Sequence, residues 1–311
     1  PEGLNKKFEV NLLGRKSSKK RSHEIKLKRI KVFKNIFSYL SEVKSAAKNE
    51  DSKFLIISIS PYTFLISLLI KILGRKPIVY LRSDGYGEYR AILGKLGPIF
   101  YHFMFSIVSA FSNLISCRDY ILRGKKGKII NPSQLDSSWL RQPKSIEVKN
   151  FKLLYVGRLK IEKGIFSLLN LIKNKKDISL TVVGSEKKEV SNYTYQSNVK
   201  ILQTQVNKLK LIKHYDDHNI FVLPSYTEGY PMVILESLAR ERPIIIFNEI
   251  EHIVGNRKGI FISNRSIESF LDKVNYIKDN YKKIQEEMKK NNLPSKKEFL
   301  IELKKSILNQ S

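Results

Sequence analysis

NIFVLPSYTEGYPMVILE, residues 219–236, carries a strand, a turn and a helix start in one short run. Ile220–Leu223 has the length and β-branching of a buried strand, and Pro224 and Ser225 end it. A turn follows at Thr227-Glu228-Gly229-Tyr230, and Pro231 opens the helical segment MVILESLARE. Proline suits a first helical turn because its missing N–H would have no partner there. Glu228 and Glu236 bracket the turn with seven residues between them. The N–H groups from Gly229 to Met232 lie at the helix start, where the aligned peptide dipoles favour an anion. A phosphate-bearing ligand with hydroxyls at both ends would find a positive backbone pocket between two strong acceptors. Read as structure alone, Glu236 is a solvated helix carboxylate and Glu228 a turn residue.

Outward from this stretch the chain alternates strands and helices. Upstream, the pattern predicts strand Phe151–Val156, helix Ile165–Lys173, strands Ser179–Val183 and Val199–Leu202, and helix Val206–His214. Downstream it predicts strands Pro243–Phe247 and Gly259–Ile262, then lysine-rich helix from Ile267 onward. The first half predicts strands Phe8–Leu13 and Ile25–Ile30, helix Val32–Ala47, strand Phe54–Ser60, helix Pro61–Leu73 and strand Pro77–Leu81. Strand, helix, strand at this spacing is a βαβ unit, which requires parallel pairing and a doubly wound sheet. Leu96–Cys117 carries no charge over 22 residues, long enough to span a bilayer. Gly97-Pro98 and Ser112-Asn113 punctuate it, so a core helix followed by strand Leu114–Ser116 is expected, with a shallow membrane-contacting helix as the alternative. Asn131–Lys149 lacks periodicity, is rich in turn formers and reads as a linker. The expectation is an α/β chain of two Rossmann-like domains, 1–142 and 143–311, the last helix being a candidate to pack back on the first.

A second constellation sits at the end of strand Phe151–Val156: Gly157-Arg158-Leu159, then Glu162-Lys163-Gly164. In an open α/β sheet the ligand lies outside the carboxyl ends of the strands. Arg158 and Lys163 are therefore placed to meet a diphosphate, the guanidinium by a bidentate contact and the ammonium as a point charge. Among 57 Lys and Arg residues a basic pair is more often a solvated face; the position at a strand end sets this one apart. Gly184-Ser185 ends the next strand and reads equally as a plain turn.

Pro224-Ser225, Glu228-Gly229-Tyr230-Pro231 and Leu235-Glu236, together with the GRL…KG pattern, resemble the retaining glycosyltransferases of family 4, which have the GT-B fold. The resemblance covers roughly residues 54–261. It implies two domains facing across a cleft and transfer of a hexose-like sugar from a nucleotide-sugar donor to a hydroxyl with retention. The acceptor would be a glycan, a lipid-linked precursor or a polysaccharide precursor. By the resemblance Glu228 holds hydroxyls of the sugar and Glu236 those of the ribose. Arg158, Lys163 and the amides around Gly229 and Met232 would stabilise the leaving diphosphate, with Gly157, Gly184, Tyr230 and Pro231 completing the donor site. No Asp-X-Asp run is present, so neither a metal nor another cofactor is expected, and front-face attack requires no protein nucleophile. Family members carry a histidine or aspartate after the strand that is PIVYL here, which makes Asp84 a catalytic candidate with Arg82 and Glu88 beside it. Asp84-Gly85 is equally an ordinary turn. Two departures stand out. Residues 1–30 hold no glycine-rich first loop, so the first βα unit is expected to be missing, and Glu241-Arg242-Pro243 stands where the family favours glycine.

The formal charge of +28 draws nucleic acid, anionic membrane or phosphorylated small molecules, and charge alone does not choose among them. The basic residues are scattered and no recognition motif appears, so nucleic acid is not expected as a partner. The basic run Lys16–Lys34 could attract anionic lipid, which suggests a cytoplasmic chain, peripheral at the inner membrane face. The one cysteine, Cys117, excludes an internal disulfide. His102, His214, His218 and His252 lack ligand spacing and read as structural, and His23 sits among surface charges. A nucleotide-sugar epimerase on the same fold is the rival enzyme.

Overall fold

The computed structural model describes residues 4, 7–16, 27–143, 151–173, 175, 177–185 and 197–309. These fall into two units, Pro1–Pro132 with Lys296–Ser311, and Ser133–Ser295.

In the first unit β1 (Asn11–Arg15) and β2 (Arg29–Phe33) form a parallel pair of their own. The strand expected at Ile25–Ile30 lies later, residues 25 and 26 falling outside the described residues, and helix α1 (Ile36–Ala47) starts after Val32. Asn35 sets that start: its Oδ1 accepts the Ser38 N–H at 2.8 Å, and Phe33 stacks on Tyr39 across the cap at 5.0 Å. Strand β3 (Leu55–Ile57), helix α2 (Pro61–Ile72) and strand β4 (Ile78–Leu81) make the expected βαβ unit. Ser60 and Thr63 close a reciprocal cap at the start of α2.

Two helices follow, α3 (Gly85–Leu93) and α4 (Gly97–Phe111), then β5 (Asn113–Ser116) and β6 (Gly127–Ile129). Strands β3-β4-β5-β6 form a fully parallel sheet. Helix α3 has no counterpart in the sequence reading, because glycines at 85 and 87 lower its propensity. Packing holds it instead. Tyr86 and Tyr89 lie 4.9 and 5.2 Å from the Tyr101 ring. A Cβ on Gly85 would fall 2.1 Å from that ring, and one on Gly97 would fall 1.9 Å from the Tyr89 carbonyl. Both glycines thus let α3 and α4 close on each other. Residues 85–111 are long and apolar enough to cross a membrane by length and composition. However, the chain turns at Gly94, where φ is +63°, and Tyr101, Met104, Phe105 and Val108 of α4 are buried. The charge-free stretch is thus a helix with one buried face, followed by strand β5.

The second unit contains β7 (Lys152–Val156), α5 (Ile165–Leu171), β8 (Ser179–Ser185), β9 (Val199–Gln203), α6 (Lys208–Asp216) and β10 (Ile220–Leu223). It continues with α7 (Met232–Ala239), β11 (Ile244–Phe247), β12 (Ile260–Ser263), α8 (Ile267–Asp279) and α9 (Tyr281–Met288). The sheet order is β12-β11-β10-β7-β8-β9, all parallel. Strands β10 and β11 are buried along their whole length, as near-continuous Ile, Val and Phe runs require when helices cover both faces. Leu135 and Trp139, from the stretch between residues 131 and 149, lie in the same core; residues 144–150 lie outside the described residues.

The last helix, α10 (Lys296–Leu308), belongs to the first unit, where Leu303 and Ile307 pack with Ile78, Tyr80, Ile115 and Ile130. Lys53 donates to its final carbonyls at Ile307 and Leu308, 3.0 and 3.2 Å away, a cation where the helix end is negative.

Candidate functional site

In the second unit the chain runs outward from β7 through β8 to β9, then returns to place β10 on the other side of β7. The order reverses between β7 and β10, and ligands of open α/β sheets bind outside the carboxyl ends of the strands at such a point. The two sequence constellations are the loops that leave those two strands.

The loops interlock. The Tyr226 N–H donates to the Glu162 carbonyl at 3.0 Å. Gly164 adopts φ +64°, and a Cβ there would lie 1.7 Å from the Pro224 carbonyl. Gly157 donates to Val183 at 2.9 Å, and Gly184, at φ +136°, would place a Cβ 2.1 Å from the Gly157 carbonyl. These glycines therefore serve close approach and not merely a turn. Tyr155 donates its hydroxyl to the Arg158 carbonyl at 2.9 Å, which fixes the backbone beneath the exposed Arg158 side chain.

This docking brings Lys163 and Glu228 together from 65 residues apart, Nζ to Oε1 at 2.7 Å. The Ser225 hydroxyl donates to the same oxygen at 2.7 Å, leaving Oε2 open to a further donor among the described residues. The carboxylate is only 10% exposed, so loss of its cation would leave a largely buried charge uncompensated. His252 Nε2 lies 3.1 Å from the Glu228 carbonyl. Arg265, at the end of β12, braces the loop: it donates to the Pro224 and Ser225 carbonyls at 2.6 and 3.2 Å, pairs with Glu249 at 2.5 Å, and lies over the Tyr226 ring at 3.9 Å.

Glu236 lies on α7 and accepts from the Tyr215 hydroxyl at 2.9 Å through Oε2. Burial pushes its carboxyl up to about 6, and the Tyr215 hydrogen bond opposes that rise. Tyr215 is wholly buried between Trp139 and Phe221, each ring 5.6 Å away. Pro231 is the residue before α7, with extended backbone at ψ 114°, so the helix starts at Met232, and no side chain caps it. The Ile234 N–H bonds the Pro231 carbonyl at 3.2 Å, while the Met232 and Val233 amides before it belong to the helix start that has no carbonyl one turn back. At the other end of α7, the Glu241 and Arg242 N–H groups bond the Leu238 and Ser237 carbonyls, each at 3.0 Å. This is a Schellman closure with Glu241 at φ +52°, the left-handed position that glycine fills without cost. Beneath it Asp216 takes the Arg240 guanidinium in two bonds of 2.8 and 2.9 Å.

The remaining candidate, Asp84, lies in the first unit beyond β4. It caps α3, accepting the Tyr86 N–H at 3.1 Å, and pairs with Arg123 at 3.3 Å. Arg82 is exposed. His218 is buried, which lowers its imidazole to about 4 and keeps it neutral at pH 7. Sequence reasoning missed Tyr215 and Arg265. The first reads as one more core aromatic of α6; the only cue to the second is its place at a strand end.

The family model described as glycosyl transferases group 1 matches residues 137–293. The capsular polysaccharide biosynthesis glycosyltransferase CapM of Staphylococcus aureus is 30% identical over 139 residues, 40% of this chain and 36% of that protein. The match thus spans about a third of the curated relative's length. Among solved structures, sucrose-phosphate synthase from Thermosynechococcus elongatus superposes with TM-score 0.69 at 16% identity, covering 100% of this chain and 92% of that one. Anabaena HepE in complex with UDP and glucose gives 0.64 at 14% identity, over 91% and 86%. The shared fold is GT-B, with Rossmann-like units of parallel sheet.

Proposed function

From the premise that the chain belongs to the group 1 glycosyl transferases, we propose that it moves a hexose-like sugar, with retention, from a nucleotide-sugar donor to a hydroxyl of a lipid-linked or polysaccharide precursor. The observation that carries this reading is the Lys163–Glu228 pair of 2.7 Å, held where the sheet order reverses. Lys163, Arg158 and the uncapped start of α7 supply positive charge for a leaving diphosphate. Glu228 Oε2 and Glu236 supply acceptors for hydroxyls of the sugar and the ribose. In the free protein Lys163 neutralises Glu228; with donor bound it turns to the diphosphate while sugar hydroxyls donate to the carboxylate.

The bond from the anomeric carbon to the diphosphate oxygen breaks with its electron pair on the diphosphate. The acceptor oxygen attacks the same face, and its proton passes to the departing phosphate. Fixed cations and amides stabilise the growing charge, so the proposal assigns no role to a metal. Because HepE was solved with UDP and glucose, a uridine diphosphate hexose is the first donor to test. CapM's part in capsular polysaccharide biosynthesis supports a precursor of that class as acceptor. As part of the same reading we propose that the chain works in the cytoplasm at the inner membrane face.

Full-length protein incubated with a panel of nucleotide sugars and lipid-linked acceptors, followed by mass spectrometry, tests the reading. A hexose mass added to acceptor, with the donor's anomeric configuration by NMR, supports it. Inverted configuration refutes retention. Conversion of donor to an isomeric sugar without acceptor refutes transfer and identifies the epimerase.

A further inference from the structure

Helix α4 is apolar on both sides. Tyr101, Met104, Phe105 and Val108 are buried, whereas Leu96, Ile99, Phe100 and Phe103 are exposed at 72, 68, 43 and 57%. The exposed set falls at steps of three and four, one stripe along the helix and the residue before it. Ile92 and Leu93 on α3 are exposed at 71 and 51%, so six large apolar side chains stand in solvent within residues 92–103. The patch continues toward α2, where Phe64 meets Phe103 at 5.9 Å. A contiguous exposed patch rimmed by polar groups marks an interaction surface.

The charge around it selects the occupant. From Pro61 to Phe111 the acids are Asp84 and Glu88, against Lys71, Arg75, Lys76, Arg82, Arg90 and Lys95. Asp84 is already paired with Arg123. Arg90 on α3 and Lys95, the residue before Leu96, are exposed, and Lys71 and Lys76 are exposed on and after α2. Apolar side chains in a row with cations at their flanks match a bilayer interface carrying anionic headgroups, into which such a helix lies parallel to the surface.

We infer that the α3–α4 hairpin is a membrane-docking surface that inserts Leu96, Ile99, Phe100 and Phe103 into the interface of an anionic bilayer. This assigns membrane contact to residues 92–103 rather than to the basic run Lys16–Lys34. It is independent of the catalytic reading, because vesicles without acceptor report on it.

Co-sedimentation with phosphatidylglycerol–phosphatidylcholine vesicles, compared with pure phosphatidylcholine, tests the inference. Wild type should bind the anionic vesicles, more weakly as salt rises. A Leu96→Ser, Ile99→Ser, Phe103→Ser triple variant should lose about tenfold or more in partitioning, as should Arg90→Glu with Lys95→Glu, both keeping the wild-type melting temperature. The inference fails if the triple variant binds as wild type does, or if wild type does not bind anionic vesicles. It also fails if wild type forms a concentration-dependent dimer that the triple variant abolishes, which would make a second copy the occupant.

Discussion

Replacing Tyr215 by Phe removes one oxygen and nothing else, because the ring keeps its places against Trp139 and Phe221. The lost oxygen is the donor that holds Glu236 at 2.9 Å. A hydrogen bond to a charged group contributes roughly 1.5–3 kcal/mol, and one pH unit corresponds to about 1.4 kcal/mol. The Glu236 carboxyl, already at about 6 through burial, should therefore rise by roughly one to two pH units more. At pH 7 about half to nine-tenths of it would then be protonated, and a nucleotide that needs the carboxylate for its ribose hydroxyls binds only the rest. Calorimetric titration of UDP from pH 5.5 to 9 reads this directly. Wild-type affinity should fall as pH drops through about 6. Tyr215→Phe should shift that midpoint upward and recover most of the affinity at pH 9. An unchanged midpoint would refute the assignment of Tyr215 as the group that sets the charge of Glu236.

Three further outcomes are expected. A carboxyl raised from 4.5 to about 6 in the fold destabilises the folded state by roughly 2 kcal/mol above pH 6, an effect that vanishes as pH falls through 4.5; Glu236→Gln should therefore melt higher than wild type at pH 7 but not at pH 4.5, while binding UDP less well, and a pH-independent difference would contradict this. Arg158→Ala should lower turnover by on the order of 10²–10³ with a smaller loss of donor affinity, and Arg158→Lys should restore little, because a point charge cannot replace a bidentate fork; unchanged turnover in steady-state assays would exclude Arg158 from the diphosphate contact. Glu241→Gly should raise stability by about 0.5–1 kcal/mol in urea unfolding, since glycine accepts φ +52° without the side-chain penalty; a loss would mean the Glu241 side chain contributes more than its backbone costs.

Much of the second unit was legible because its strands are short and parallel, and its central strands β10 and β11 are buried along their whole length, so they read as unbroken runs of Ile, Val, Leu and Phe. The motif loops were legible for a related reason: a glycine or proline must stop such a run, and the polar residues that follow stand at the ligand end of the sheet. What the sequence concealed depends on contacts between distant segments. Helix α3, with two glycines in its first turn, owes its existence to the Tyr101 ring. Val32 lies four residues before Ile36 and fits a helix, but the Asn35 cap excludes it. Tyr215 and Arg265 look like a core aromatic and a surface cation until the fold brings one to Glu236 and the other to Pro224. Glu241 reads as a departure from a glycine preference, and its left-handed backbone shows what that preference is for.

Binding of UDP to wild type and to Lys163→Ala, each titrated by calorimetry at pH 7.5, tests most directly that the loops after β7 and β10 form a diphosphate site. Loss of a charged contact of roughly 1.5–3 kcal/mol should weaken the variant about ten- to a hundredfold. Equal affinities would contradict the site.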